Sequence, residues 1–406
     1  MTAGRPAVLF IAPQPFFQAR GTPIRVRFDV QALAELGFAV DLLTLPCGED
    51  VAIPGVRIVR AANPFALADM PIGPSFWKAV YDLILFWHAW RLAAQNSYQV
   101  VHCIEDAGVI GLVLQRVRRC SLVYEKHSDP ASYEGGLLRN LMMLLYRKVE
   151  AQVIRQAAAV VTGPALAPLT RAIADHERVY GICSTPSTIR EADPQATAAI
   201  RRRLQRADGD VLVTYIGSFA AYQGIELMFQ AIPLVVREQP EARFVVIGGA
   251  ADEVERWRRW LAGENAGAAV LFIPHVAPDD VPDYLAASDV LLSPRLAGSN
   301  PPLKHLDYLK ANRAIVATDT AGNRFYLDPT VALLTAARAP DFAAGIVQLV
   351  ADPELRSDLA GNGRRRIEGS YSYPELKRGL QACYADLQRR LAAERGDRLR
   401  PGRSTT

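Results

Sequence analysis

The chain has 406 residues, a formal net charge of +4, 50% hydrophobic and 22% charged residues. That length predicts two or three domains, and that balance an ordinary globular protein with ample core material. So small a net charge gives no argument for a nucleic-acid partner.

The five cysteines, Cys47, Cys103, Cys120, Cys183 and Cys383, are scattered and form no Cys-x-x-Cys pair. Neither a disulfide framework nor a zinc site follows from them, and a reducing compartment is expected. The first apolar run, "AVLFIA" (Ala7 to Ala12), lacks the cleavage site of a signal peptide. No stretch reaches the ~18 uncharged apolar residues that span a bilayer. A cytoplasmic protein is expected, or one peripheral on the inner face of the plasma membrane.

Five short apolar runs are predicted strands of a first domain, residues 1–190. They are "AVLFIA", "AVDLLTL" (Ala39 to Leu45), "VVHCIE" (Val100 to Glu105), "SLVYEKH" (Ser121 to His127) and "AVVTG" (Ala159 to Gly163). They lack strict alternation, as strands covered on both faces do, and helical patterns separate them. This is the signature of a doubly wound parallel sheet. The stretch Ser184 to Gly209 is rich in Pro, Ser and charge, and residues 191–209 read as a linker. The pattern then restarts over 210–370 with "DVLVTYIG", "RFVVIGG", "VLFIPHV", "DVLLSP" and "AIVATD". A helix over 371–391 is expected to return to the first domain, with Leu380, Tyr384 and Leu387 facing protein, and 392–406 to be a disordered tail. Ligands of such sheets bind beyond the carboxyl ends of the strands.

Four segments at such ends carry candidate chemistry. "PQPFFQARGTPIRV" (Pro13 to Val26) is a long loop in which Gly21 permits close approach or a positive φ, next to Thr22, and Pro23 suits a first helical turn. "YEKHSDP" (Tyr124 to Pro130) places His127 at the end of a strand; Glu105 and Asp106 end another, with Glu105 also a candidate cap for the helix that follows. "SPRLAGSNPPLKHLDY" (Ser293 to Tyr308) holds Arg295, Ser299, Asn300, Leu303, Lys304 and Asp307, with Asn300 positioned to cap a helix starting at Pro301. "YIGSFAAYQGIELMFQA" (Tyr215 to Ala231) has the strand, turn and helix layout of a phosphate loop, yet offers Ser218 and Gln223 between Gly217 and Gly224 and no basic side chain.

Taken in order, these motifs resemble family 4 glycosyltransferases over about residues 7 to 390. The resemblance implies an α/β protein of the GT-B fold, two facing Rossmann-like domains with parallel sheets. It implies a retaining, metal-independent hexosyltransferase, with no cofactor beyond a UDP- or GDP-linked nucleotide-sugar co-substrate. The acceptor would be a glycan or a lipid-linked molecule of surface polysaccharide or glycolipid biosynthesis. In the family, the Pro13 to Val26 loop contacts donor phosphate or acceptor, and a His at the position of His127 contacts the sugar or assists the reaction. The family's two acids, with seven residues between them, fall on Ser299 and Asp307. The sugar-contacting acid is therefore absent, and Asp307 is the implied ribose ligand. The usual basic residues of the phosphate loop are replaced by Ser218 and Gln223, in a Tyr-Gln-Gly variant. Lys304 and Arg295 are the candidates to supply the displaced charge. A sugar-nucleotide epimerase of the same fold and a catalytically silent nucleotide-sugar-binding subunit stay open beside the transferase. Helical patterns over Gly73 to Ala93 and Leu137 to Gln156, with Trp77, Trp87, Trp90 and flanking basic residues, make an anionic membrane surface a further candidate partner.

Overall fold

The computed structural model describes residues 5–18, 21–67, 75–128, 137–174, 176–297 and 301–398. The chain divides into two compact units, Met1–Ser184 together with Tyr373–Thr406, and Thr185–Ser372. The first holds a seven-stranded sheet of β1 (Ala7–Ala12), β2 (Ala39–Thr44), β3 (Val56–Arg60), β4 (Val100–Ile104), β5 (Ser121–Lys126), β6 (Ala159–Thr162) and β7 (Val179–Gly181), in the order β3-β2-β1-β4-β5-β6-β7. The second holds a six-stranded sheet of β8 (Val211–Ile216), β9 (Ala242–Ile247), β10 (Val270–Ile273), β11 (Val290–Ser293), β12 (Ala314–Thr318) and β13 (Leu333–Thr335), in the order β10-β9-β8-β11-β12-β13.

Every pairing in both sheets is parallel. Parallel strands need crossovers, and the crossovers cover both faces with helices. The central strands β4, β5 and β11 are accordingly buried along their whole length. The strand order reverses direction beside β1 in one sheet and beside β8 in the other. Doubly wound sheets bind ligands outside such points.

Two expected boundaries are corrected. The linker 191–209 contains a helix, Pro194–Leu204, because Asp193 accepts a hydrogen bond from the Ala196 amide and Pro194 occupies its first turn. It packs on the helix Val281–Ala287 and belongs to the second unit. The C-terminal helix runs Tyr373–Arg398, so residues 392–398 are helical, while 399–406 lie outside the described residues. Gly21 opens the helix Gly21–Glu35.

The C-terminal helix packs on the helix Gly21–Glu35 and on β6 and β7, and Leu380, Cys383, Tyr384 and Leu387 are buried in the first unit. The Tyr384 ring meets Phe38 edge-on at 5.0 Å. Leu380 is fully buried, so Leu380→Ala is expected to cost about 2–5 kcal/mol through lost transfer energy and a residual cavity. Chemical denaturation followed by fluorescence measures it; a midpoint equal to the parent's would contradict this packing.

Candidate functional site

In the second unit the Gly217–Gly224 loop is shaped by backbone contacts that only glycine allows. Gly224 has φ +69°, and a Cβ there would lie 1.9 Å from the Pro294 carbonyl oxygen. Gly248, after β9, has φ +114°, and a Cβ there would lie 2.2 Å from the Gly217 carbonyl oxygen. Thus the turns after β8, β9 and β11 touch through main chain. The Leu296 amide donates to the Tyr222 carbonyl at 2.9 Å, tying the loop to the segment of Arg295. Ser218 is exposed, and its carbonyl accepts the Tyr215 hydroxyl at 2.8 Å.

Lys304 reaches this loop. Its Nζ donates to Gln223 Oε1 at 3.1 Å and stands 4.7 Å from the centre of the Tyr215 ring. A Cβ on Gly217 would be 3.7 Å from the same nitrogen. Burial, reinforced by the nearby Arg295 charge, lowers the Lys304 ammonium to about 7. Arg295 is itself buried; its Nε donates to the Ala297 carbonyl at 2.7 Å and its guanidinium lies 5.6 Å from the Tyr222 ring centre. Burial lowers its pKa too. Two cations therefore sit against a loop that has none, with neutral oxygens and aromatic faces as neighbours.

The helix that presents Lys304 corrects one expectation. It spans Lys304–Lys310 with Leu303 at its cap position, instead of starting at Pro301. Pro301 and Pro302 lack N–H groups, and the ordered bonds begin with the amides of His305 and Leu306 on the carbonyls of Pro302 and Leu303. Ser299 and Asn300 lie outside the described residues. His305, which the sequence reading passed over, is fully buried, with Nε2 at 2.7 Å from Ser293 Oγ. Burial and the charges of Lys304 and Arg295 hold it neutral.

Asp307 follows Lys304 by one turn but is tied elsewhere. Its Oδ1 accepts the Ser187 amide at 2.7 Å and the Ser187 hydroxyl at 2.9 Å. Burial raises its pKa to about 6 against the pull of these bonds. With Ser187, Thr188, Lys310 and Arg364 it lines a cavity of about 200 Å³ inside this unit.

In the first unit Gly21 and Thr22 open the helix Gly21–Glu35 at the surface. His127 follows β5, and its Nε2 lies 2.9 Å from Glu125 Oε1. Burial works against the charged imidazole, but the Glu125 and Glu105 carboxylates outweigh it and raise its pKa. Glu105 does not cap the helix after it. With φ +49° its carboxylate turns back to accept the amides of His127 at 2.6 Å and Ser128 at 2.7 Å. Asp106 pairs with Lys78 at 3.1 Å. Among the described residues no group of three or more His, Cys, Asp or Glu side chains is placed to hold a metal ion.

A family model described as Glycosyl transferases group 1 matches residues 196–366, all within the second unit. The matched segment contains the Gly217–Gly224 loop, Arg295, Lys304 and Asp307. Curated relatives extend the likeness across the chain. The alpha-D-kanosaminyltransferase of Streptomyces kanamyceticus is 24% identical over 285 residues, 68% of this chain and 73% of that protein. The D-inositol 3-phosphate glycosyltransferase of Geodermatophilus obscurus is 25% identical over 423 residues, 96% of this chain and 91% of that protein. Among solved structures, sucrose-phosphate synthase from Thermosynechococcus elongatus has a TM-score of 0.74 at 21% identity, covering 96% of this chain and all of that one (100%). Anabaena HepE in complex with UDP and glucose has a TM-score of 0.69 at 15% identity, covering 94% of this chain and 99% of that one. The two structural likenesses show the GT-B fold, and the family match supports a glycosyltransferase.

An anion placed against Lys304 favours its charged form, so the protonated protein binds an anion more tightly. Above about pH 7 the free ammonium is increasingly neutral, and affinity for a diphosphate anion is expected to fall by up to about tenfold per pH unit between pH 7 and 9. Lys304→Ala is expected to flatten that dependence. Calorimetric titration across this range checks both, and a parent whose affinity is constant there contradicts the assignment.

Proposed function

We propose that the chain is a retaining, metal-independent family 4 glycosyltransferase that moves a hexosyl unit from a UDP- or GDP-linked sugar to a glycan or lipid-linked acceptor. The observation that carries this reading is the seating of Lys304, with Arg295 beside it, against the Gly217–Gly224 loop. Two buried cations hold charge where a leaving diphosphate develops it, in surroundings that strengthen the interaction. The main chain of Gly217 and Gly224 and the side chains of Ser218 and Gln223 supply neutral contacts, with Leu303 as a further candidate. Asp307 serves the ribose by exchanging its Ser187 bonds for sugar hydroxyls. Thr22 and Gly21 lie on the acceptor-side unit with His127, which assists at the sugar.

The test is transfer and binding by three variants. Lys304→Ala removes a charged hydrogen-bonding group, and a loss of about 1.5–3 kcal/mol is expected, roughly ten- to hundredfold in rate. Gln223→Ala removes a dipole and is expected to cost about 0.5–1.5 kcal/mol. Asp307→Asn is expected to weaken UDP or GDP binding even without a sugar attached. A Lys304→Ala protein that binds and turns over like the parent sinks the relocation of charge and brings forward the silent binding subunit.

The acceptor side favours an anionic membrane surface. On the helix Phe76–Gln95 the side chains of Phe76, Leu83 and Trp87 are exposed, and on the helix Leu137–Gln156 so are Met142, Leu144 and Leu145. Both helices pack on the helix Gly108–Arg118, and Arg91, Arg147 and Lys148 stand among these apolar residues in sequence. No described helix is long and apolar enough to cross a membrane, so an interfacial seat is the fitting arrangement. Co-sedimentation with phosphatidylglycerol vesicles at low salt, reduced by Trp87→Ser with Leu83→Ser, is the expected result. Equal sedimentation of parent and double variant removes this surface from the reading.

A further inference from the structure

We propose that Glu125 is the positioning residue of His127, a buried carboxylate that keeps the proton of the neutral imidazole on Nε2 and leaves Nδ1 as the nitrogen offered to the reaction. This rests on the reading that His127 serves the transfer.

Glu125 is the fifth residue of β5, a strand buried throughout. A glutamate is rarely so buried unless its oxygens are paired. Here both are. Oε1 lies 2.9 Å from His127 Nε2 and 3.2 Å from Arg25 Nε. Oε2 lies 3.0 Å from His102 Nε2. The far nitrogen of His102, Nδ1, is 2.9 Å from the Tyr384 hydroxyl.

Proton counting gives this chain a direction. A carboxylate only accepts, so Nε2 of each ring must carry a hydrogen. A neutral imidazole has one N–H, and burial keeps His102 neutral by lowering its pKa. Its Nδ1 therefore accepts, and Tyr384 donates. The order runs from Tyr384 O–H to His102 and from His102 N–H to Glu125, where the N–H of His127 arrives from the other side. Burial opposes the Glu125 anion, but Arg25 and His127 outweigh it and hold its pKa well below the ordinary range.

His127 differs from His102 at its second nitrogen. Among the described residues its Nδ1 makes no hydrogen bond, and its side chain keeps 18% of its exposure. With Nε2 engaged, Nδ1 accepts a proton or hydrogen bond when the ring is neutral and donates one when the ring is charged. Several groups face the pair and act on its charge. Arg25 and Asp29 come from the helix Gly21–Glu35, His102 from β4, Glu105 from the turn after it, and Cys383 and Tyr384 from the C-terminal helix. Lys126 and Glu150 are paired alongside at 2.5 Å. Asp29 takes the Arg25 Nε at 2.9 Å, and its Oδ1 is buried without a partner. Burial raises the Asp29 pKa above the ordinary carboxylate range against the pull of Arg25.

The experiment is ¹⁵N NMR of the intact protein labelled at its six histidines, with His127 assigned from the spectrum of His127→Gln. In the unmutated protein the neutral His127 ring is expected as the Nε2–H tautomer, titrating above the ordinary ~6.5. In Glu125→Gln the midpoint is expected to fall by about one unit or more, since a neighbouring opposite charge shifts a pKa by ~1–3 units. An Nδ1–H tautomer in the unmutated protein overturns the proposal, and so does an unmoved midpoint in Glu125→Gln. Where that variant fails to fold, the tautomer of the unmutated protein decides. Transfer assays separate the reading beneath. Full activity in His127→Gln removes His127 from the reaction whatever its tautomer, whereas a wrong tautomer with a damaged His127→Gln removes only the role of Glu125.

Discussion

Parallel pairing is the constraint on which both units depend. A strand inside a parallel sheet has neighbours on two sides and helices on two faces, so a polar side chain in its middle must find its partners within the core, as His102 of β4 does. All strands of a parallel sheet end at the same edge, and it is there that the chain can leave the core with polar side chains still anchored by it. Glu105 and His127 follow β4 and β5, which are neighbours in one sheet; Gly217 and Arg295 follow β8 and β11, neighbours in the other. Residues far apart in the chain meet because their strands do.

The two polar clusters handle buried charge in opposite ways. Glu125 receives donors on both oxygens and an arginine besides, so the anion is stable in spite of burial. Such a cluster is complete without a ligand. Lys304 and Arg295 instead have an amide oxygen, a carbonyl oxygen and two aromatic faces, and among the described residues neither has a carboxylate ion pair. Desolvation without full compensation is what pulls the lysine down to about 7. A site that stays short of negative charge is suited to an anion that arrives from solution. A basic residue built directly into the loop would be a charge on its exposed face. Lys304, approaching from the helix after β11, places its charge beneath the loop, where the surroundings screen it less.

Ten of the thirteen strands were legible because a strand covered on both faces is a short continuous apolar run; β3, β7 and β13 are short, partly exposed strands at sheet edges and were not. The turn after β8 was legible through Gly217 and Gly224, whose backbone freedom is local. The approach of Lys304 to that loop was anticipated from the absence of a basic side chain within it. What stayed hidden are pairings made by tertiary contact. Glu125 read as one more residue of a buried strand, and its partner His102 as part of another. The hydrogen bond between His102 and Tyr384 spans 282 positions and that between Ser187 and Asp307 spans 120. The glutamate in "YEKH" was the one available signal, since a charged residue inside an apolar strand needs a partner. The helix Pro194–Leu204 was hidden by its charge, because "ATAAIRRRL" reads as solvated until Asp193 and Pro194 are taken as its cap and first turn.

Tyr384 brings the chain's two distant stretches into one cluster. The first unit is discontinuous, closed only when the helix Tyr373–Arg398 packs against the helix Gly21–Glu35. The entropy of closing so long a loop grows only with the logarithm of its length, so the cost is modest. It is met by several fully buried apolar side chains, each worth about 1.5–3 kcal/mol. Among them Tyr384 is the one with a polar end, and that end is spent inside the core on His102. Were a phenylalanine there, the apolar packing would persist while His102 Nδ1 lost its donor. An unpaired buried nitrogen costs about 1–3 kcal/mol, and the ring could then turn or take a second proton. Either change alters what Glu125 receives on Oε2. The hydroxyl thus does for His102 what Glu125 does for His127: it settles which nitrogen holds the hydrogen.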